Sequence, residues 1–288
     1  MKRGYPARAA RTLEVAPQTD EVKLLRGWVL VKAGDSVNAE HWLNNIGQGV
    51  SGSWALMSVM AMCKFRLGRL DECRDLAEKI PMNLGIWSAH AAYALASYHL
   101  RIGNYEKSLD WYYNSRDLYY SSGEISSAIQ CGGMISTLIC KKGEDPRLAF
   151  ADVLVDSENV LLERASILVN YADCLSEYLG YHDFEQFESI YKEAIQIFRQ
   201  NENSDGEASA LNSCGVCAHF GERFEYALKY YKMALKCVES TGNIRLLGII
   251  SANLAEVMGD ADRIKGVIDF LSRSGHGEIA EQIGNNLL

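Results

Sequence analysis

Cys214 and Cys217, spaced as Cys-x-x-Cys with His219 just beyond, are the side chains best arranged for metal or thiol redox chemistry in this chain. A structural zinc needs four ligands, and no second Cys-x-x-Cys or paired-His motif supplies the others. Cys63, Cys73, Cys131, Cys140, Cys174 and Cys237 stand beside small or apolar residues, where a thiol in a reducing compartment serves as a small core hydrophobe. The Cys214/Cys217 pair is read the same way. His41, His90, His99, His182, His219 and His276 are scattered, with no two at i, i+4. Nucleophile elbows, glycine-rich phosphate loops, zinc-protease helices and calcium loops are absent from the sequence. A non-enzymatic protein with no cofactor and no metal is expected.

Recognition chemistry is better represented. Lys32, Arg66 and Arg101 each stand two residues before a glycine, Gly34, Gly68 and Gly103, so the cations recur at 34 and then 35 residues. Such a row could hold carboxylates through charge-assisted hydrogen bonds. Alternatively, each cation answers the carbonyl end of its own helix. Asn170, Asn212 and Asn253 recur at 42 and 41 residues, although Asn is a mediocre helix former. They either form a ladder that grips the main chain of an extended peptide or bridge adjacent helical hairpins.

The charge balance limits the partners. A net charge of −8 and a pI near 5.4 repel phosphate backbones, and no cluster of five or more Lys or Arg offsets them, so no direct nucleic-acid partner is expected. The longest apolar-leaning run, 54–63, is too short to span a bilayer and is interrupted by Ser58. No apolar core follows the opening Met-Lys-Arg-Gly as a secretory signal requires. These features predict a cytoplasmic protein without a membrane partner. A hydrophobic content of 48% against 23% charged residues favours an ordered chain, and only four prolines leave room for long helices.

Those helices carry a repeat. Phe184, Tyr191 and Ala194 recur in type and spacing as Phe224, Tyr231 and Ala234, and upstream as Tyr105, Tyr112 and Ser115. Offsets of seven and three fall on one face of an α-helix. Gly34, Gly68 and Gly103 suit tight turns between antiparallel helices. Five residues after each comes a small side chain, Ala39, Cys73 or Ser108, where the second helix can cross the first closely.

With these residues the chain resembles the tetratricopeptide repeat family, whose period is a 34-residue helical hairpin. Gly103-Asn104-Tyr105-Glu106-Lys107-Ser108-Leu109 is similar to the family's Gly-Asp-Tyr-x-x-Ala-Leu. The run 210–215, followed by Phe224, Ala227, Leu228, Tyr230, Tyr231, Ala234 and Leu235, resembles a full unit. The resemblance covers nearly the whole chain. It departs at Ser36 and Leu70, which replace the aromatic found at Tyr105, and is faintest over 124–157.

The resemblance implies an all-α fold: an α-solenoid, a right-handed superhelix of antiparallel helical hairpins. Residues 1–19 would be a half-repeat or capping helix, with a helix over 8–15 ended by Pro17. The chain would then begin in mid-unit, as a fragment of a longer array, a cap, or a half that pairs with another copy. Residues 20–122 would form units of 34–35 residues. Residues 123–275 would form elongated units of about 40 residues, similar to the sensor arms of bacterial signal-transduction regulators and to certain eukaryotic scaffolds. Residues 276–288 would be a C-terminal capping helix presenting Ile279, Ile283 and Leu287.

The family's inward positions, counted from the turn glycines, fall on Leu24, Trp28 and Lys32, then Ser58, Met62 and Arg66, then Tyr93, Ser97 and Arg101, with Lys141 or Lys142 as a fourth cation. The groove they imply, joined by Asn170, Asn212 and Asn253, would bind a peptide or protein partner with acidic residues or a free carboxylate. Trp111, Tyr113, Tyr119 and Tyr120 cannot all be buried on one helix face. This aromatic region, 111–120, or the ends of the array, would serve a homo-oligomer or a larger complex. Three roles fit: an adaptor or scaffold, a ligand- or peptide-sensing regulatory arm of a signalling or transcriptional regulator, or a structural subunit of a larger assembly.

Overall fold

The computed structural model describes residues 9, 12–13, 16–17, 19–47 and 53–287, and among them the chain is α-helical with no strand. It divides into two compact units, residues 1–138 and 139–288. In the first, α1 (Asp20–Lys32) pairs with α2 (Ser36–Asn44), α3 (Trp54–Arg66) with α4 (Leu70–Ala77), and α5 (Ile86–Arg101) with α6 (Tyr105–Ser121). Most of α7 (Ile125–Lys141) follows. In the second, the short α8 (Pro146–Ala149) and α9 (Ala151–Asp156) precede three hairpins: α10 (Leu161–Leu179) with α11 (Phe184–Gln200), α12 (Ser204–Phe220) with α13 (Phe224–Val238), and α14 (Ile244–Val257) with α15 (Ala261–Arg273). α16 (Gly277–Leu287) ends the described chain. The expected helix over 8–15 lies largely outside the described residues; Ala9 and Leu13, which are described, pack against the core of the first unit.

The turns show why the helices stop and restart where they do. Gly34, Gly103 and Gly259 adopt φ of 82°, 75° and 67°, the left-handed region that glycine enters without a Cβ clash. The next residue, Asp35, Asn104 or Asp260, donates its backbone N–H to the carbonyl five residues back, on Leu30, His99 or Ala255, at 3.0, 2.8 and 2.9 Å. The same residue's side chain accepts the N–H three residues on, from Asn38, Lys107 or Arg263. One residue thus closes the outgoing helix and caps the incoming one. Asn203 does both jobs after Glu202, bonding to Phe198 and Gly206. Here a glutamate at φ 53° holds the place of the glycine, as does Glu222 at φ 58°.

Packing follows the repeat. Ala39, Cys73 and Ser108 are fully buried, and the Ser108 hydroxyl donates to the Ala96 carbonyl at 2.8 Å. In three hairpins a glycine lets the helices approach against a large side chain: Gly27 against Leu43, Gly215 against Tyr231, Gly248 against Leu271. A Cβ at those glycines would lie 2.4, 2.6 and 2.6 Å from the opposing side chain. Tyr112, Tyr191 and Tyr231 are buried with Ser115, Ala194 and Ala234, but the first aromatic of the pattern is not uniformly core. Phe184 is buried, whereas Tyr105 and Phe224 are 41% and 52% exposed. Each is the first residue of its helix, and Phe184 has Tyr226 at 5.4 Å beside it.

Within the first unit α1 touches α3 and α3 touches α5; within the second α10 touches α12 and α12 touches α14. The first helices of successive hairpins therefore form a layer. Where the repeat is faintest, the second helix is broken at Phe150 into α8 and α9. At the end, Ile279 and Ile283 of α16 are buried with Ala252, Ala255, Ile264 and Leu271, and Leu287 packs against them.

Candidate functional site

The first-helix layer of the first unit holds a recess of about 190 Å³. Val31 and Lys32 come from α1, Met62 and Arg66 from α3, Tyr93 from α5 and Tyr119 from α6; α7 adds Ser127 and Gln130. The lining has two cations and no carboxylate. Its size is below the roughly 300–1,000 Å³ of pockets that engulf a whole small molecule, so it suits one residue of a longer ligand.

An aromatic cluster sets the electrostatics. The Lys32 ammonium lies 4.7 Å over the Trp28 ring, a favourable cation–π placement. Trp28 stacks on His90 at 4.6 Å, and His90 meets Trp87 and Tyr119 at 5.7 and 5.6 Å. Burial, and then the charge of Lys32, push His90 down to about 3. The imidazole is therefore neutral, and its Nδ1 is buried without a hydrogen-bond partner among the described residues. Burial raises Tyr93 to about 12, against the opposing pull of Arg66, and raises Tyr119 well above its ordinary value. Both phenols stay protonated as donors, so an entering anion meets two positive charges, hydroxyl and amide donors, and the apolar side chains of Met62 and Val31.

Of the residues picked out by sequence, the recess unites Lys32, Met62, Arg66 and Tyr93, with Trp28 beneath Lys32. Leu24 packs against the unit's core. Ser58 is buried and donates to the Ala55 carbonyl, and Ser97 is buried 3.2 Å from the Tyr112 hydroxyl. Arg101 is exposed at the end of α5 and, like Lys141 and Lys142, is not part of the lining. Sequence reasoning missed Val31, Tyr119, Ser127, Gln130 and the adjoining His90. Tyr119 follows Tyr112 by seven and so shares its helix face; nothing in the sequence marks Ser127 or Gln130.

In the second unit Asn253 Nδ2 donates to Asn212 Oδ1 at 3.0 Å, joining α14 to α12. For that pair the bridging alternative holds, and the bond leaves further donor and acceptor capacity on each amide. Asn170 is half-buried on α10. One turn on, Asp173 accepts the Tyr191 hydroxyl at 2.6 Å and the Ser213 hydroxyl at 3.4 Å. Burial outweighs both bonds and raises its carboxyl to about 6.

All eight cysteines are free thiols. Cys214 and Cys217 are buried, which raises both, Cys217 to about 11. Among the described residues no three His, Cys, Asp or Glu side chains are grouped to hold a metal ion, and no helix is long and apolar enough to cross a membrane. In the region 111–120, Tyr119 is buried and Trp111 packs on the core, while Tyr113 and Tyr120 are exposed.

No family model matches the chain, and no curated protein matches it in sequence. Solved structures match it in fold. A Rap protein complexed with competence and sporulation factor is 15% identical with a TM-score of 0.66, over 98% of this chain and 90% of that one. The apo quorum sensor NprR from B. thuringiensis is 13% identical with a TM-score of 0.52, over 98% and 91%. Aspartyl phosphate phosphatase F from Bacillus subtilis is 12% identical with a TM-score of 0.50, over 94% and 79%. At these identities the likeness is one of architecture: the chain has a tetratricopeptide-like helical-repeat fold.

Proposed function

We propose that this protein is a non-enzymatic interaction module, an adaptor or scaffold, that binds a peptide or protein segment through the recess of its first unit. An acidic side chain or a free carboxylate sits between Lys32 and Arg66. The observation that carries this reading is a lining with two cations, four neutral donors from Tyr93, Tyr119, Ser127 and Gln130, and no carboxylate. Leu24, Trp28, Met62, Ser97 and Arg101 complete the proposed contact in that unit. In the second unit Asn170, Asn212 and Asn253 are proposed to hold main-chain amides with the capacity their mutual bond leaves over. We place the protein in the cytoplasm, with no nucleic-acid or membrane partner and no cofactor. We keep the division into units of 34–35 residues over 20–122 and of about 40 over 123–275 on the spacing of the repeat; helix length follows it only in part, since α1 to α4 have 13, 9, 13 and 8 residues and α10 to α13 have 19, 17, 17 and 15, but α5 and α6 have 16 and 17 and α14 and α15 have 14 and 13.

The test is selection from a random peptide library with free or amidated C-termini, on the wild type and on Arg66→Glu. A charge-assisted hydrogen bond contributes about 1.5–3 kcal/mol, so Arg66→Glu lowers the affinity of the selected peptide by about tenfold or more. Equal enrichment on the two proteins sinks the reading. A second role, the peptide-sensing arm of a regulator, is favoured by the fold shared with the Rap protein complexed with competence and sporulation factor and with the quorum sensor NprR. A sensor changes its solution scattering when the selected peptide is added; an adaptor does not.

A further inference from the structure

The second unit exposes apolar side chains at the turns of two neighbouring hairpins. Phe220 is 64% exposed and Phe224 52%. Tyr178, Leu179 and Tyr226 are also exposed. Tyr181 stacks on Phe220 at 5.3 Å with the rings 28° apart, so the turn after α10 lies directly against the turn after α12. A Cβ on Gly221 would come 2.7 Å from the Tyr181 carbonyl; the contact between the turns is close enough to require glycine. His219 lies beside Phe220 and Phe224 at 6.0 and 5.9 Å, making the surface continuous. Aromatic side chains clustered in the open, rather than scattered singly, mark an interaction surface.

The charges around them identify the occupant. The segments 177–185 and 220–226 carry Glu177, Asp183, Glu185, Glu222 and Glu225, all exposed, against one guanidinium, Arg223. A second copy would bring the same acidic edge against itself, and an anionic membrane surface would be repelled. Exposed ring faces and carboxylates together attract Lys and Arg, the faces through cation–π contacts and the acids through ion pairing. We propose that this edge of the second unit docks a basic segment of a partner protein, one in which Lys or Arg side chains alternate with apolar anchors. The surface shares no residue with the recess that holds Lys32 and Arg66, whose chemistry selects the opposite charge.

The test uses the full chain and a fluorescein-labelled peptide of roughly four helical turns, Lys on one face and Leu and Trp on the other, with a Glu-for-Lys version as control. Fluorescence anisotropy is expected to give binding of the Lys peptide that Phe220→Ser/Phe224→Ser weakens by about tenfold or more and that Glu222→Lys/Glu225→Lys also weakens. Tyr113→Ser, at another exposed aromatic, leaves it unchanged. The substituted side chains are exposed, so circular dichroism matching the wild type confirms that the variants fold. Binding unaffected by Phe220→Ser/Phe224→Ser overturns the proposal, as does equal binding of the Glu peptide. Self-association of the wild type that this variant abolishes would assign the surface to a second copy and overturn it too.

Discussion

Replacing Asp173 by Asn should remove a pH dependence from the stability of the second unit. The carboxyl is drawn between two hydroxyls, 2.6 Å from Tyr191 and 3.4 Å from Ser213, yet burial raises it from an ordinary 3.8 to about 6, with Glu177 adding to the rise. A carboxyl whose folded value lies above its unfolded one stabilises the fold while protonated, and that contribution is lost as pH rises from about 3.8 through 6. At about 1.4 kcal/mol per tenfold change in proton affinity the full loss is about 3 kcal/mol. The side chain retains some solvent contact, so about 1–3 kcal/mol is the working range. Asn keeps an oxygen for Tyr191 and carries no charge. Urea unfolding followed by far-UV circular dichroism should therefore show Asp173→Asn gaining about 1–3 kcal/mol on the wild type between about pH 4 and about pH 8. Trp28, Trp42, Trp54, Trp87 and Trp111 are all the tryptophans, and all lie in the first unit. Their fluorescence separates a change confined to the second unit from one shared by both. A stability difference between variant and wild type that stays constant across this pH range refutes the reasoning.

Three further outcomes are expected. Gly103 is left-handed and a methyl group added there would meet open space, so Gly103→Ala costs about 1 kcal/mol from backbone strain alone, whereas Glu202→Gly, relieving a left-handed glutamate, gains about 0.5–1 kcal/mol; thermal midpoints check both signs. Gly215→Val, driven into the Tyr231 ring, costs at least about 1 kcal/mol, while Gly266→Ala, which meets nothing within 4 Å, gains up to about 1 kcal/mol in the same denaturant assay. His90, held down at about 3, stays neutral when the unfolded imidazole takes a proton near 6.5, so stability present above about 6.5 is lost as pH falls toward 3; His90→Leu flattens that loss in tryptophan fluorescence.

Much of the scaffold was legible because it rests on local rules. Gly34 and Gly103, each followed by Asp or Asn, announce a helix end and a helix start in two letters, and the buried tyrosines 112, 191 and 231 declare the crossing face. The polar run 201–206 marks a turn, but Glu202 there and Glu222 in the next hairpin concealed the left-handed geometry of theirs, since a glutamate gives no sign of such a backbone. Tyr105 and Phe224 share the sequence pattern of Phe184 but not its burial, because Phe184 is covered by Tyr226 from the next hairpin rather than by its own helix. The recess was half legible. Lys32, Met62, Arg66 and Tyr93 followed from counting back from glycines, but Tyr119, Ser127 and Gln130 arrive from α6 and α7, whose approach depends on tertiary packing. The Asn212–Asn253 bond is likewise a contact between hairpins that periodicity alone left open.

The doubly employed turn residues have a consequence for how such a chain can diversify. Asp35, Asn104, Asn203 and Asp260 fasten the backbone through main-chain partners and their own short side chains, with Asn38 Nδ2 adding a bond to Asp35. None of the fastening depends on the identity of Lys32, Arg66, Tyr93 or any other residue lining the recess. Ligand preference can therefore be rewritten letter by letter while the fasteners stay untouched, and a hairpin copied with its two-residue clasp carries its own instructions for folding its second helix back on its first.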